Sequence, residues 1–149
     1  MLTKSNVDRH VAEIEELLRS VSTILKKRGR DILSNFEITN PQFDALLVLR
    51  DFGELTMGEL CQKMFLACST ATDLIDRMER NGLIERVRDT ADRRVIRLRV
   101  LAKGAQIIDE VMVARRGYLA NVLSEIDVAD KERLIQALEQ VNYLMTREV

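Results

Sequence analysis

Two clusters of side chains in this 149-residue chain have types and spacings suited to chemistry, and the chemistry is recognition rather than bond-making. The first is "RVRDTADRRVIRLR", Arg86 to Arg99, which puts six arginines and two aspartates, a net +4, into a chain that is formally −1. Guanidinium groups in a polar turn suit a narrow, strongly negative groove of nucleic acid. Arg93 and Arg94 occupy that turn, and Asp92 beside them can orient a guanidinium in a charge-assisted pair. The second cluster is "STATDLIDRMER", with Ser69, Thr70, Thr72, Asp73, Arg77 and Arg80 on one outer face. Small hydroxyls allow close approach and hydrogen-bond bases or phosphates, while arginines further along suit the phosphate backbone.

Overall charge hides this, because the sequence pI is about 5.9. Residues 41–85 carry four basic and eight acidic side chains, and the +4 stretch follows at once. Such local focusing steers a protein toward a polyanion when net charge does not.

The residues that could break or form bonds are sparse. His10 is the single histidine, near Asp8 and Glu13 in sequence, which gives neither a metal cluster nor a triad. No glycine-rich phosphate loop is present. The expectation is a protein with no catalytic residues, no metal and no cofactor. Two cysteines are too few for a disulfide framework and fit a reducing compartment. Cys61 reads as core packing. Cys68 stands at the start of the hydroxyl-bearing helix, where oxidation would add bulk and charge. A thiol-based, redox-responsive protein is therefore an alternative reading. No apolar run approaches the ~20 residues of a membrane span, and "MLTKSNVDRHVAEIEELL" lacks a signal-peptide pattern, so a cytoplasmic location without membrane partners is expected.

The elements that must position the two clusters are mostly helical, with a composition of 46% apolar and 32% charged residues that suits one globular domain over 1–149. Residues 6–34 read as one long helix. Val7, Val11, Ile14, Leu18, Val21, Leu25 and Ile32 follow alternating four- and three-residue steps, a heptad-like seam interrupted at Arg28 that suits a partner chain, with packing inside the monomer as the alternative. In "ITNPQFDALLVLRDFG" Asn40 is the expected cap, Pro41 the first helical residue, Phe43, Leu46, Leu47 and Leu49 the apolar face, and Gly53 a left-handed stop. "LTMGELCQKM" opens on a capping box of Thr56 and Glu59. The helix after it buries Ala71, Leu74, Ile75 and Met78 and stops at Asn81-Gly82. The period then changes. "LIERVR" and "VIRLRV" read as strands around the turn "DTADRR", with Ile96, Leu98 and Val100 anchoring the hairpin on the helices. If Arg86 faces Arg97 across that hairpin, the two repel and need phosphates or acidic neighbours such as Glu85 or Asp76. Ile107 to Ile126 mark a long helix, and "DVADKERL" restarts a last one with Leu134, Leu138, Val141 and Met145 as its stripe.

Two short helices, a tight turn and a β-hairpin within about 45 residues make a winged helix-turn-helix, whose second helix enters the major groove. At this point the chain resembles the MarR family of multiple antibiotic resistance regulators, over nearly its whole length. The resemblance is carried by "LTMGELCQKM", "STATDLIDRMERNGLIER" and "DTADRRVIRLRVLAKG". It implies a mainly α fold with a small β-hairpin wing, long N- and C-terminal dimerisation helices at about 6–34 and 103–147, and a winged helix-turn-helix lobe at about 40–101. It further implies a homodimeric transcription regulator, usually a repressor on pseudo-palindromic sites, released by a small phenolic or lipophilic ligand or, in some members, by oxidation. The family's DNA-contact positions match Ser69, Thr70, Thr72 and Arg77, and its wing arginines match Arg93 and Arg94. The full set assigned to double-stranded DNA is Thr56, Ser69, Thr70, Thr72, Asp73, Arg77, Arg88, Arg93 and Arg94. The set assigned to the partner copy is Val11, Ile14, Leu18, Val21, Leu138, Val141 and Met145. The chain departs from the family pattern at Asp73, where a basic or small polar residue is usual. It departs also at Ala67 in place of a capping Ser and at Leu101 in place of a Thr. A protein-interaction module of the same fold without DNA binding is the competing class.

Overall fold

The computed structural model describes residues 8–148, so Val7 of the expected seam lies outside the described residues. The chain falls into two compact units that divide after Met112, inside a continuous helix.

In the first unit, α1 (Arg9–Ser34) starts at Asp8, whose carboxylate accepts the His10 amide. It buries only its C-terminal end, through Gly29, Ile32 and Leu33. α2 (Asn40–Phe52) is capped by Thr39, not Asn40. The Thr39 hydroxyl accepts from the Gln42 amide and the Gln42 side chain accepts from the Thr39 amide, so Asn40 and Pro41 are the first two helical residues. Gln42 is buried, and this reciprocal pair satisfies it where Asn40 would have left it without a partner. Gly53 ends α2 at φ +80° and ψ −155°, outside the left-handed helical well and in a region essentially reserved for glycine.

β1 (Leu55–Thr56) leads directly into α3 (Met57–Met64), with Thr56 and Glu59 forming the expected capping box. α4 (Cys68–Arg80) buries Ala71, Ile75 and Met78. β2 (Ile84–Arg88) and β3 (Ile96–Val100) form the hairpin, and β1 adds to the other edge of β3, giving the order β1-β3-β2. The sequence reading contained a two-stranded hairpin, so the third strand is an addition. The apolar centre gathers Phe43, Leu46, Leu60, Ile75, Met78, Ile84 and Leu98, closed by Ile108 and Val111 of α5 (Ala102–Val122). α5 approaches the sheet closely at Gly104, where a Cβ would collide with the Leu83 carbonyl oxygen and stand 3.1 Å from both Leu46 Cδ2 and Val100 Cγ1.

In the second unit, α6 (Val128–Thr146) is capped by Asp127, whose side chain accepts the Asp130 amide at 2.8 Å. None of its residues is buried.

Candidate nucleic-acid interface

α4 presents its polar side outward because its apolar positions, Ala71, Ile75 and Met78, repeat at helical spacing and are fully buried. Ser69, Thr70, Thr72, Asp73 and Arg77 are consequently all exposed. Ala67 caps the helix without a side-chain hydrogen bond, so no side chain closes off the first-turn amides. The Thr72 hydroxyl donates to the Cys68 carbonyl at 2.8 Å, which leaves its lone pairs facing outward. Asp73 makes no ion pair among the described residues. Thr56 is half-buried, its hydroxyl engaged as the α3 cap.

The six arginines separate by register. Arg86 stands opposite Leu98 and Arg97 opposite Val87, so the conditional Arg86–Arg97 repulsion does not arise. Arg86 instead reaches back to α4, donating to Glu79 at 2.9 Å and, from its other terminal nitrogen, to Asp76 at 2.6 Å. Burial works to lower its pKa, but the Asp76 and Glu79 hydrogen bonds outweigh burial and raise it. Arg99 pairs with Glu54 at 2.7 Å and with its cross-strand neighbour Glu85 at 3.3 Å, and Glu54 is the main cause holding its pKa above the ordinary value. Arg97 pairs with Asp89 at 3.0 Å and donates to the Glu54 carbonyl. These three cations fasten the wing to the rest of its unit. Arg88 and Arg93 are exposed and have no charged partner among the described residues. Arg94, 92% exposed at its side chain, leans on Asp92 at 3.2 Å. The interleaved apolar residues also divide: Leu98 is buried and Val100 half-buried, but Ile96 is 46% exposed.

The wing tip is closed by Asp89. Its amide donates to the Val95 carbonyl, one carboxylate oxygen accepts the Ala91 amide at 2.9 Å, and the other accepts Arg97. The Ala91 amide is the largest cause of a lowered Asp89 pKa, followed by Arg97. A carboxylate with a depressed folded pKa stabilises the wing above its ordinary value, about 3.8, and loses that contribution as pH falls through the lower folded value. An NMR titration of the Asp89 carboxyl is therefore expected to give a midpoint below 3.8 in the native protein. In Arg97→Leu the midpoint should recover only partly, because the Ala91 amide remains. Full recovery would show that Arg97, not the backbone, holds the tip.

Between α3 and α4, Phe65 adopts φ +54° and ψ +38° with its ring 78% exposed. A left-handed conformation costs a residue with a Cβ roughly 1–2 kcal/mol, and little burial offsets it here. Phe65→Asn is expected to raise stability by about 0.5–1 kcal/mol, read as a higher Tm, since asparagine tolerates this conformation. A lower Tm would show that packing of the ring outweighs the backbone strain.

Sequence reasoning missed two positioning groups. The Lys103 ammonium donates to the Asn81 carbonyl at 2.8 Å, placing a cation at the C-terminus of α4. Arg86 was left undecided among the strand arginines. Neither had a local signal, since both act across folded distance. The residues assigned to a partner copy sit as follows. On α1, Val11, Ile14, Leu18 and Val21 are exposed, as are Leu17, Ile24 and Leu25. On α6, Leu138 and Met145 are exposed and Val141 is half-buried. His10 lies 3.2 Å from Asp8. Among the described residues no group of three His, Cys, Asp or Glu side chains is placed to hold a metal, and no helix is long and apolar enough to cross a membrane.

The family model described as "MarR family" matches residues 38–96, from the end of the α1–α2 connection through the start of β3. The chain is 45% identical over 139 residues to the uncharacterised HTH-type transcriptional regulator YsmB of Bacillus subtilis, covering 93% of this chain and 95% of that protein. It is 29% identical over 127 residues to the HTH-type transcriptional repressor MdtR of the same organism, covering 83% and 80%. The solved structure of a MarR family protein from Bacillus stearothermophilus superposes with a TM-score of 0.89 at 50% identity, over 95% of this chain and 99% of that one.

Proposed function

This chain belongs to the MarR family and is a helix-turn-helix transcriptional regulator, and from that premise we propose that it acts as a homodimeric repressor on pseudo-palindromic operators. The observation that carries the DNA assignment is the sorting of side chains on α4 and the wing. Ala71, Ile75 and Met78 of α4 are turned inward and Leu74 is half-covered, every hydroxyl is turned out, and among the described residues Arg88 and Arg93 are left without acidic partners while Arg86, Arg97 and Arg99 are neutralised. In this reading Ser69, Thr70, Thr72 and Asp73 face base edges, Arg77 and Thr56 the phosphates, and Arg88, Arg93 and Arg94 the minor groove. The proton of Thr72 is committed to Cys68, so Thr72 accepts from a base amino group, as Asp73 does. Seven large apolar side chains exposed on α1 support dimerisation, since monomers rarely leave such a stripe bare. Two recognition helices would then address half-sites about one DNA turn apart. The repressor sense follows the printed name of the MdtR relative.

A pocket of about 220 Å³, open to solvent on one side, lies on the first unit, its apolar wall formed by Leu49, Leu98, Val100 and Ile108 and its polar rim by Arg50, Glu54, Arg99 and Asp109. We assign the small phenolic or lipophilic inducer to it, its apolar floor taking a ring and Arg50 an anionic substituent. The whole chain acts as one regulatory domain in the cytoplasm, with no catalytic step.

Selection of bound duplexes from a random library tests the function directly. Measured on the selected duplex, Arg93→Ala and Arg94→Ala should each weaken binding several-fold and reduce the salt slope by about one phosphate equivalent. Thr72→Ala should change sequence preference and leave the salt slope unaltered. Flat, salt-independent binding across the library would instead favour a protein-interaction module.

A further inference from the structure

The turn between α3 and α4 carries a residue that the fold does not reward. The Phe65 amide donates to the Gln62 carbonyl and the Leu66 amide to the Cys61 carbonyl, the pair of bonds that closes a helix through a left-handed residue. Glycine ordinarily fills that position, because it has no Cβ to strain. Here it is phenylalanine, at φ +54° and ψ +38°. Among the described residues one other non-glycine has a positive φ, Glu37, whose exposed carboxylate is at home in water. A phenyl ring is not. The other exposed phenylalanine, Phe52, has the Lys63 ammonium 3.7 Å from its ring centre. The Phe65 ring has no such contact among the described residues. Position 65 is therefore unfavourable twice, in backbone conformation and in bare apolar surface. Strain of this kind clusters where something binds.

Location decides what that is. Phe65 stands three positions before Cys68, where α4 begins, and the exposed residues Ala67 and Cys68 that lead into Ser69 are small. We propose that Phe65 is a further specificity-determining residue of the DNA site, its ring resting on the C5-methyl of one thymine in the major groove of each half-site. This deepens the DNA-binding reading above and rests on it. The N-terminal side chains of a recognition helix stand over base edges, so a ring at its entry meets the major-groove edge beside them. A phenyl ring has no hydrogen-bonding atom. It gains nothing from phosphate oxygens, from guanine N7 and O6, or from the amino groups of adenine and cytosine. The apolar group that projects from the major-groove edge is the thymine methyl. The turn is also set before DNA arrives, since the Phe65 and Leu66 amides are already bonded back to α3. Placing the ring then requires little ordering of the loop.

Deoxyuridine lacks only the methyl of thymidine, so it isolates the contact. In the duplex selected from a random library, thymines are replaced by deoxyuridine one at a time and binding of the full-length protein is measured. One thymine per half-site should show a loss of about fourfold, the size of one buried methyl group, and about fifteenfold when both half-sites are substituted. Phe65→Gly removes the ring, takes the left-handed conformation freely and adds no donor or acceptor. Its Tm, measured alongside, reports the fold. This variant should bind the thymine duplex more weakly than the unaltered protein does. It should not distinguish thymine from deoxyuridine at that base, and its salt slope should be unchanged because no phosphate contact is lost. Sensitivity to deoxyuridine that persists in Phe65→Gly would overturn the proposal, since another side chain would then read the methyl. Indifference of the unaltered protein to deoxyuridine at every thymine would overturn it too. So would unchanged affinity in Phe65→Gly, which would leave the exposed ring to a protein partner. Each of these results leaves DNA binding intact. If the unaltered protein selects no duplex at all, the DNA-binding reading itself fails, and the role of Phe65 with it.

Discussion

Gly104→Ala is expected to destabilise the first unit by about 2 kcal/mol and to lower Tm by several degrees. Elsewhere in a helix this substitution gains about 1 kcal/mol from propensity. Here the added methyl meets the Leu83 carbonyl oxygen well inside contact distance, and two side-chain methyl carbons, of Leu46 and Val100, at 3.1 Å each. Side chains can shift by a few tenths of an ångström. The carbonyl cannot, because it accepts the Leu101 amide at 2.9 Å and so sits at the joint between β3 and α5. Overpacking of this kind costs 1–3 kcal/mol or more, and a fixed backbone atom puts the site at the upper end, so the clash exceeds the propensity gain. Gly117, in the same helix, provides the control. A Cβ there meets nothing within 4 Å, and Gly117→Ala should stabilise the chain by up to about 1 kcal/mol. Thermal unfolding of both variants reads the difference. Equal and positive shifts would show that α5 is free to move away from Leu83.

Leu18→Glu is expected to abolish the proposed dimer. Leu18 is 42% exposed in the isolated chain, so the change alone costs the fold little. In a two-fold interface the residue is buried twice. Each buried, unpaired carboxylate costs several kcal/mol, and two together should raise the dimer Kd on the order of 10⁴-fold. Sedimentation should show monomers, and DNA binding should fail with dimerisation, because each half-site contributes affinity only when both are engaged. Circular dichroism separates this from misfolding. A dimeric, DNA-competent Leu18→Glu protein would place the interface elsewhere than the α1 stripe.

Much of the division of α4 into a buried and an exposed face was legible because it is written locally. The α4 pattern needs only its own thirteen residues: apolar side chains at helical spacing fix the inner face, and the hydroxyls and arginines are then outside by exclusion. The α3 capping box is equally local. What was misread depended on choices between neighbours or on distance. Thr39 and Asn40 are both good caps, and Gln42 decided the matter by reciprocating with the first. β1 has two residues, too few to show a period, and pairs with β3 more than forty positions away, Leu55 opposite Leu98. The hairpin register turned on how the seven residues from Asp89 to Val95 close, so the partners of Arg86, Arg97 and Arg99 could not be matched in advance. Ile96 was expected inside from strand alternation alone, which says which face a residue occupies but not whether anything covers that face there.

The way the wing tip closes has a consequence for engineering. Its hydrogen bonds run from Asp89 to Val95, Ala91 and Arg97, and from Val95 back to Asp92, so the loop satisfies itself next to the ends of its two strands. The fixed base, by contrast, is tied to α4 through Arg86 and to the turn before β1 through Arg99. The tip is thus a cassette on a rigid mount. Residues 90–94 can be exchanged for those of a relative, or lengthened, at the modest loop-closure cost of a few added residues, while Asp89 and Arg97 keep the joint. Under the DNA reading proposed above, a set of chimaeras differing only there would vary the wing's contact with DNA while α4 stays constant, giving a graded series of operators from a single scaffold.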